Sequence, residues 1–81
     1  MTREEVFNTL NTIITDFLRL EQGELTETTH IINDAGADSL ALVELGFKFS
    51  EAFNIPMITP NDNNMVLGNL VTEIEQLIAG E

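Results

Sequence analysis

Apolar residues at Val6, Leu10, Ile13, Ile14 and Phe17 recur at steps of three and four, the spacing that gathers side chains into one helical stripe. Asn8, Thr9, Asn11, Thr12 and Asp16 fill the opposite side. The segment opens with Thr2-Arg3-Glu4-Glu5, where a threonine and a glutamate three residues on can each satisfy a backbone N–H at a helix start. Gly23 is the expected terminator. The pattern predicts a helix over about residues 3–20, about 27 Å long at 1.5 Å per residue. Residues 21–37 have no sustained period. Glu24, Thr26, Glu27, Thr28 and Thr29 are polar, and only Leu25, Ile31 and Ile32 offer anchors to a core. Loops of this length inside a compact domain are uncommon and often functional.

Asp38 is a good N-cap, and Gly36 gives the backbone freedom for the chain reversal before it. A second helix is predicted from about Ser39 to Phe53. Its deeper stripe is Leu42, Leu45, Phe49 and Phe53, and a second apolar row, Leu40, Val43 and Phe47, lies on a neighbouring face. One buried stripe needs less apolar surface than that. Gly46 in mid-helix costs about 1 kcal/mol of propensity relative to Ala, so its presence points to a close approach by something. Ile55-Pro56 forces an extended exit, and Thr59-Pro60 resembles a cap followed by a first-turn proline. A short helical turn is therefore expected near residues 60–64, although Asn61-Asp62-Asn63-Asn64 is also turn chemistry. A last helix over about residues 65–79 carries Leu67, Leu70, Val71, Ile74, Leu77 and Ile78, and Gly80 ends it. With no repeat, linker or alternating strand pattern, the expected fold is all-α. It is a bundle of three principal helices plus a short one, in a single domain over residues 1–81.

Charge narrows the partners. Fourteen Asp and Glu against three Lys and Arg leave a net −11, while 43% hydrophobic content still permits a core. Arg3, Arg19 and Lys48 are too few and too scattered to neutralise phosphates, which excludes nucleic acid as a partner. An anionic membrane surface would repel the chain. Basic patches on proteins are what such a surface attracts, and self-repulsion favours a monomer. The absence of cysteine excludes disulfides, thiolate nucleophiles and cysteine-ligated metals. No apolar run approaches the roughly twenty residues of a membrane span, and Met1-Thr2-Arg3-Glu4-Glu5 lacks a signal-peptide layout, so a cytoplasmic location is expected.

The stretch Ala35-Gly36-Ala37-Asp38-Ser39-Leu40, followed by Val43-Glu44-Leu45 and later Phe53, resembles the acyl carrier protein family. The order of elements agrees over nearly the whole chain. The resemblance implies an acyl-carrier-like four-helix bundle with no catalytic group of its own. It also implies that Ser39, flanked by Asp38 and Leu40, is esterified to 4′-phosphopantetheine, taken from coenzyme A by a phosphopantetheinyl transferase. The arm's thiol would carry acyl or aminoacyl cargo as a thioester to acyl-loading and acyl-processing enzymes. A phosphodiester at a helix start suits the unpaired N–H groups and the positive end of the helix dipole. A tethered cargo also gains effective concentration at each partner's active site. In carrier proteins the positions matching Leu40, Val43 and Phe47 face the partner, with Glu44 and Glu51 adding charge for its basic residues. Phe49, Ile55, Ile58 and Leu70 are the residues that would line a cavity for an acyl chain folded back into the bundle.

Four positions depart from the housekeeping fatty-acid pattern. Ala41 stands where an acidic residue commonly follows, Gly46 replaces a bulkier apolar residue, and Lys48 and Ser50 dilute the acidic face. They point to a specialised carrier for a dedicated pathway, an idea removed if purified fatty-acid enzymes turn this protein over as well as their own carrier.

Plainer readings stand beside these. Ser39 alone is an ordinary helix-start serine, an apolar row is more often core than docking site, and Ser50 reads as a surface residue. A calcium loop starting at Asp34 fails, because Gly36 and Leu45 occupy its third and twelfth positions. His30 is the only histidine, too little for a hydrolase or a zinc site, and reads as solvated in a polar loop. Glu73, Glu75 and Glu81 read as a solvated face and tail. The alternatives to an acyl carrier are an aminoacyl or peptidyl carrier and, from a different class, an acidic helical adaptor with no prosthetic group.

Overall fold

The apolar stripes become three helices in the computed structural model, which describes residues 2–21 and 23–80: α1 Arg3–Leu18, α2 Ser39–Phe53 and α3 Leu67–Ala79. Helix α1 packs against both α2 and α3. Val6, Leu10 and Ile14 from α1 are buried against Leu45, Phe49 and Phe53 from α2 and Leu70, Val71 and Ile74 from α3. Leu42, expected in the deep stripe, is only half-buried at its margin. Among the described residues no helix is long and apolar enough to cross a membrane.

Each helix end has its own cause. At the start of α1 the reciprocal cap forms: Glu5 N–H donates to Thr2 Oγ1 at 3.2 Å, and Thr2 N–H donates to Glu5 Oε1 at 2.8 Å. The Thr2 N–H and then its hydroxyl hold the Glu5 carboxyl below the usual glutamate range. Helix α1 stops at Leu18, short of the expected residue 20, because Arg19 turns left-handed (φ 58°). The N–H of Leu20 then closes on Thr15 O at 2.9 Å. Gly23 lies beyond this turn and is not the terminator.

Helix α3 begins at Leu67 rather than residue 65, and no side chain caps it. Its first donors go to the long loop instead. Leu67 N–H donates to Thr29 O at 3.0 Å, Gly68 N–H donates to Glu27 O at 2.7 Å, and Ile31 N–H donates to Met65 O at 2.8 Å. The Leu67–Thr29 and Ile31–Met65 bonds frame an isolated antiparallel bridge between His30 and Val66. A Cβ on Gly68 would lie 2.9 Å from Glu27 O, so only glycine permits this approach.

The short helix expected near residues 60–64 is a turn over 62–65. Asparagine side chains win there against the helical ladder. Asn61 Oδ1 accepts from Asn63 and Asn64 N–H, both at 2.9 Å, and Asn64 Oδ1 accepts from Asn61 N–H at 2.9 Å. Buried Asn64 also donates through Nδ2 to Thr59 O at 3.0 Å and Glu73 Oε1 at 3.1 Å.

The acidic residues of α3 are less solvated than the sequence implied. Arg3 Nη2 donates to Glu27 Oε1 at 2.7 Å and to Gly68 O at 3.0 Å, while Nη1 donates to Glu75 Oε1 at 2.8 Å and Thr72 Oγ1 at 2.9 Å. One guanidinium thus joins α1, the loop and α3. Hydrogen bonds to Glu27 and Glu75 raise the Arg3 pKa, and Arg3 in turn lowers that of Glu27. Glu75 is paired and Glu73 is engaged by Asn64, which corrects the reading of both as free surface. Glu81 lies outside the described residues.

Candidate functional site

The loop delivers the chain to α2 through a turn organised by His30. Its Nδ1 accepts from Ile32 N–H at 3.2 Å and Asn33 N–H at 3.1 Å, and its own N–H donates to Asp34 Oδ2 at 2.8 Å. His30 is therefore half-buried scaffolding rather than a solvated loop residue. Gly36 then takes a positive φ of 82°, a conformation that side chains resist, with its N–H on Ile32 O at 3.1 Å. Buried Ala37 pins the segment by donating to Ile31 O at 3.1 Å.

Asp38 follows in extended conformation and caps α2: its Oδ1 accepts from Ala41 N–H at 2.8 Å, and its carbonyl accepts from Leu42 N–H at 3.0 Å. The N–H groups of Ser39 and Leu40 find no acceptor among the described residues. Ser39 is exposed, and its hydroxyl makes no hydrogen bond to any described residue. No acidic residue occupies the first turn of α2. An exposed hydroxyl beside free donors at the positive end of a 15-residue helix fits a phosphodiester-linked group. Asp38 brings a negative charge to the same place, and its carboxylate is turned onto the Ala41 N–H.

The second apolar row of α2 faces outward. Leu40 is 71% exposed, Val43 43% and Phe47 56%, so all three escape the core. Glu44 and Glu51 are exposed on the same side. Gly46 marks a contact, as its cost implied: a Cβ there would lie 3.2 Å from Met57 Cε and 3.3 Å from Ile58 O. The exit segment after α2 presses on the helix at that point. Ser50 is not a plain surface residue, since its Oγ donates to Ile55 O at 2.6 Å and fixes the same exit.

Behind Gly46 lies a cavity of about 20 Å³, lined by Ile31, Leu42, Leu45, Phe49, Ile58 and Leu70 among others. Of the expected lining, Phe49, Ile58 and Leu70 are present and Ile55 is absent. The space is about the size of one water molecule, apolar in its lining, and too small for an acyl chain. Sequence reasoning missed Met57, Asn64 and Gly68. Gly46 signalled the first, and a glycine within the final helical stripe signalled the last.

A family profile described as "Phosphopantetheine attachment site" matches residues 8–62, a span that includes Ser39 and the whole of α2. Several curated relatives are named acyl carrier protein. That of Guillardia theta is 36% identical over 75 residues, covering 93% of this chain and 90% of its own length. That of Thermotoga maritima is 33% identical over 76 residues, covering 93% and 94%. That of Prochlorococcus marinus is 40% identical over 55 residues, covering 68% and 69%. Likeness over this much of each chain, with the profile match spanning the helix that starts at Ser39, shows that the chain belongs to the acyl carrier protein family, whose members bear phosphopantetheine and are carriers rather than enzymes.

Proposed function

We propose that Ser39 is the attachment residue and that residues 1–81 work as one carrier domain for acyl cargo. The observation that carries this reading is the exposed, unbonded Ser39 hydroxyl at the head of α2. In the loading reaction Ser39 Oγ bonds to the phosphorus that bears the pantetheine. The bond from that phosphorus to adenosine 3′,5′-bisphosphate breaks, and the hydroxyl proton passes to the transferase or solvent. When bound, the arm supplies a terminal thiol on which cargo travels as a thioester. The chain itself contributes position: Gly36 and Asp38 set the start of α2, and the free Ser39 and Leu40 N–H groups face the phosphodiester. Leu40, Val43 and Phe47, with Glu44 and Glu51, form the face that partner enzymes approach. The compartment is the cytoplasm, where coenzyme A and a transferase meet the chain. A net charge of −11 supports a monomer.

Incubation with coenzyme A and a broad-specificity phosphopantetheinyl transferase tests the reading. Intact-mass measurement is expected to show one phosphopantetheine on the wild type and none on Ser39→Ala. An unmodified wild type would return the chain to the adaptor alternative.

A further inference from the structure

The one histidine of the chain lies on the approach to Ser39 and takes no part in the loading reaction described above. His30 begins the tight turn over 31–35 that carries the backbone into Gly36, Ala37 and Asp38. Its carbonyl accepts from Asp34 N–H at 2.9 Å and Ala35 N–H at 3.1 Å. Its ring nitrogen Nδ1 accepts from the N–H groups two and three residues on, Ile32 at 3.2 Å and Asn33 at 3.1 Å. Asn61 makes the same capture elsewhere in the chain, its Oδ1 accepting from Asn63 and Asn64 N–H at 2.9 Å. The imidazole thus stands where asparagine, aspartate or serine ordinarily caps. Both ring bonds require a lone pair on Nδ1, which makes the capping form the neutral ring with its proton on Nε2. Protonation would place a third donor where two N–H groups already converge. The ring must then turn away, and Ile32 and Asn33 lose their acceptor. An asparagine cap has no such state.

We infer that His30 is a proton-sensitive cap and a positioning residue for the loading of Ser39: the neutral ring holds the turn that sets the start of α2, and the protonated ring releases it. The inference rests on the carrier reading and adds regulation to it. The path to Ser39 is short and tied at each step. Buried Ile31, next to His30, donates to Met65 O at 2.8 Å and accepts from Ala37 N–H at 3.1 Å, while Gly36 N–H closes on Ile32 O at 3.1 Å. Ala37 then leads directly into the Asp38 cap. The charged group beside the ring is Asp34, whose Oδ2 accepts the His30 N–H at 2.8 Å. An imidazolium drawn to that carboxylate would pull it from the N–H and loosen the turn further. Glu27 on the same loop is held by Arg3, and Met65-Val66-Leu67 across the bridge carries no charge. Imidazole changes charge between about pH 5 and 8, so loading falls as pH drops through that range.

The test is the pH profile of kcat/KM for loading by the phosphopantetheinyl transferase, measured on the wild type and on His30→Asn. Asparagine keeps an acceptor and does not titrate. The ratio of wild type to variant cancels the titrations of the transferase and of Asp34, which both proteins share. It is expected to be close to unity at about pH 8 and to fall about threefold by about pH 5.5, within the roughly fivefold that a lost N-cap is worth. His30→Ala, with no acceptor, is expected to load about threefold below His30→Asn at every pH. Nitrogen NMR of the ring is expected to find the proton on Nε2 and none on Nδ1 at about pH 8. A flat ratio of wild type to His30→Asn, or a proton on Nδ1 at that pH, overturns the inference while loading of Ser39 leaves the carrier reading standing. Failure of the wild type to accept the arm at any pH overturns the carrier reading, and this inference with it.

Discussion

Helices α2 and α3 begin in opposite ways. The start of α3 has no capping side chain, yet its first donors are consumed by Thr29 and Glu27 carbonyls, and Gly68 is pressed against the loop. The start of α2 is capped by Asp38, and still the Ser39 and Leu40 N–H groups have no acceptor among the described residues. One helix end is closed by the chain itself and holds the loop in place. The other is left open beside an exposed hydroxyl. Helix starts need their orphan donors satisfied, so an end left unsatisfied but solvent-accessible is where a ligand's oxygens can be received. Stability and function are thus divided between two helix starts, and substitutions at each have separable effects.

The largest expected loss of stability comes from Gly68→Ala. Its Cβ would meet a backbone carbonyl that cannot swing aside, at a cost of about 2 kcal/mol in denaturant unfolding. Loading by the transferase, measured on folded protein, is expected to proceed at the wild-type rate. Loading that fell with stability would show that the two helix starts are coupled. Asp38→Ala is smaller in stability, about 1 kcal/mol for a lost N-cap, and is expected to reverse the pattern by slowing the transferase reaction.

The smallest effect belongs to the Arg3 clasp. Arg3 holds the Glu27 carboxyl below its ordinary range, so the folded state keeps the ionised form that the unfolded chain would protonate first. The stabilisation is present above the ordinary glutamate range and is lost as pH falls through the lower folded value. In thermal melts Glu27→Gln is expected to lie slightly below the wild type at neutral pH, with the gap closing on acidification. A gap that widens in acid would contradict the ion-pair account, which solvent exposure keeps weak in any case.

Most of α1 and α2 was legible because their stripes and caps are local: Thr2 with Glu5, and Asp38 ahead of Leu40, Val43 and Phe47. The identity of Ser39 as the site candidate came from residues adjacent in sequence. Errors arose where backbone conformation, side-chain bonds to backbone or a distant partner decides. Arg19 ends α1 through its own left-handed turn, which a glycine-based reading places at Gly23. The 60–64 segment looked helical from Thr59-Pro60, but Asn61 and Asn64 bond to each other's backbone, and Asn64 also reaches Glu73. Glu75 read as solvated because Arg3 is 72 residues away in sequence. His30 looked idle because its ring accepts from backbone N–H groups that no sequence pattern marks.

The chain has only two serines, Ser39 at the open start of α2 and Ser50 bonded to the Ile55 carbonyl. Loading followed by fragment-mass localisation, run on the wild type and on Ser39→Ala and Ser50→Ala, therefore tests the central claim most directly. The account predicts that the arm is on Ser39 in the wild type, persists in Ser50→Ala and vanishes in Ser39→Ala. Phosphopantetheine retained by Ser39→Ala would contradict it.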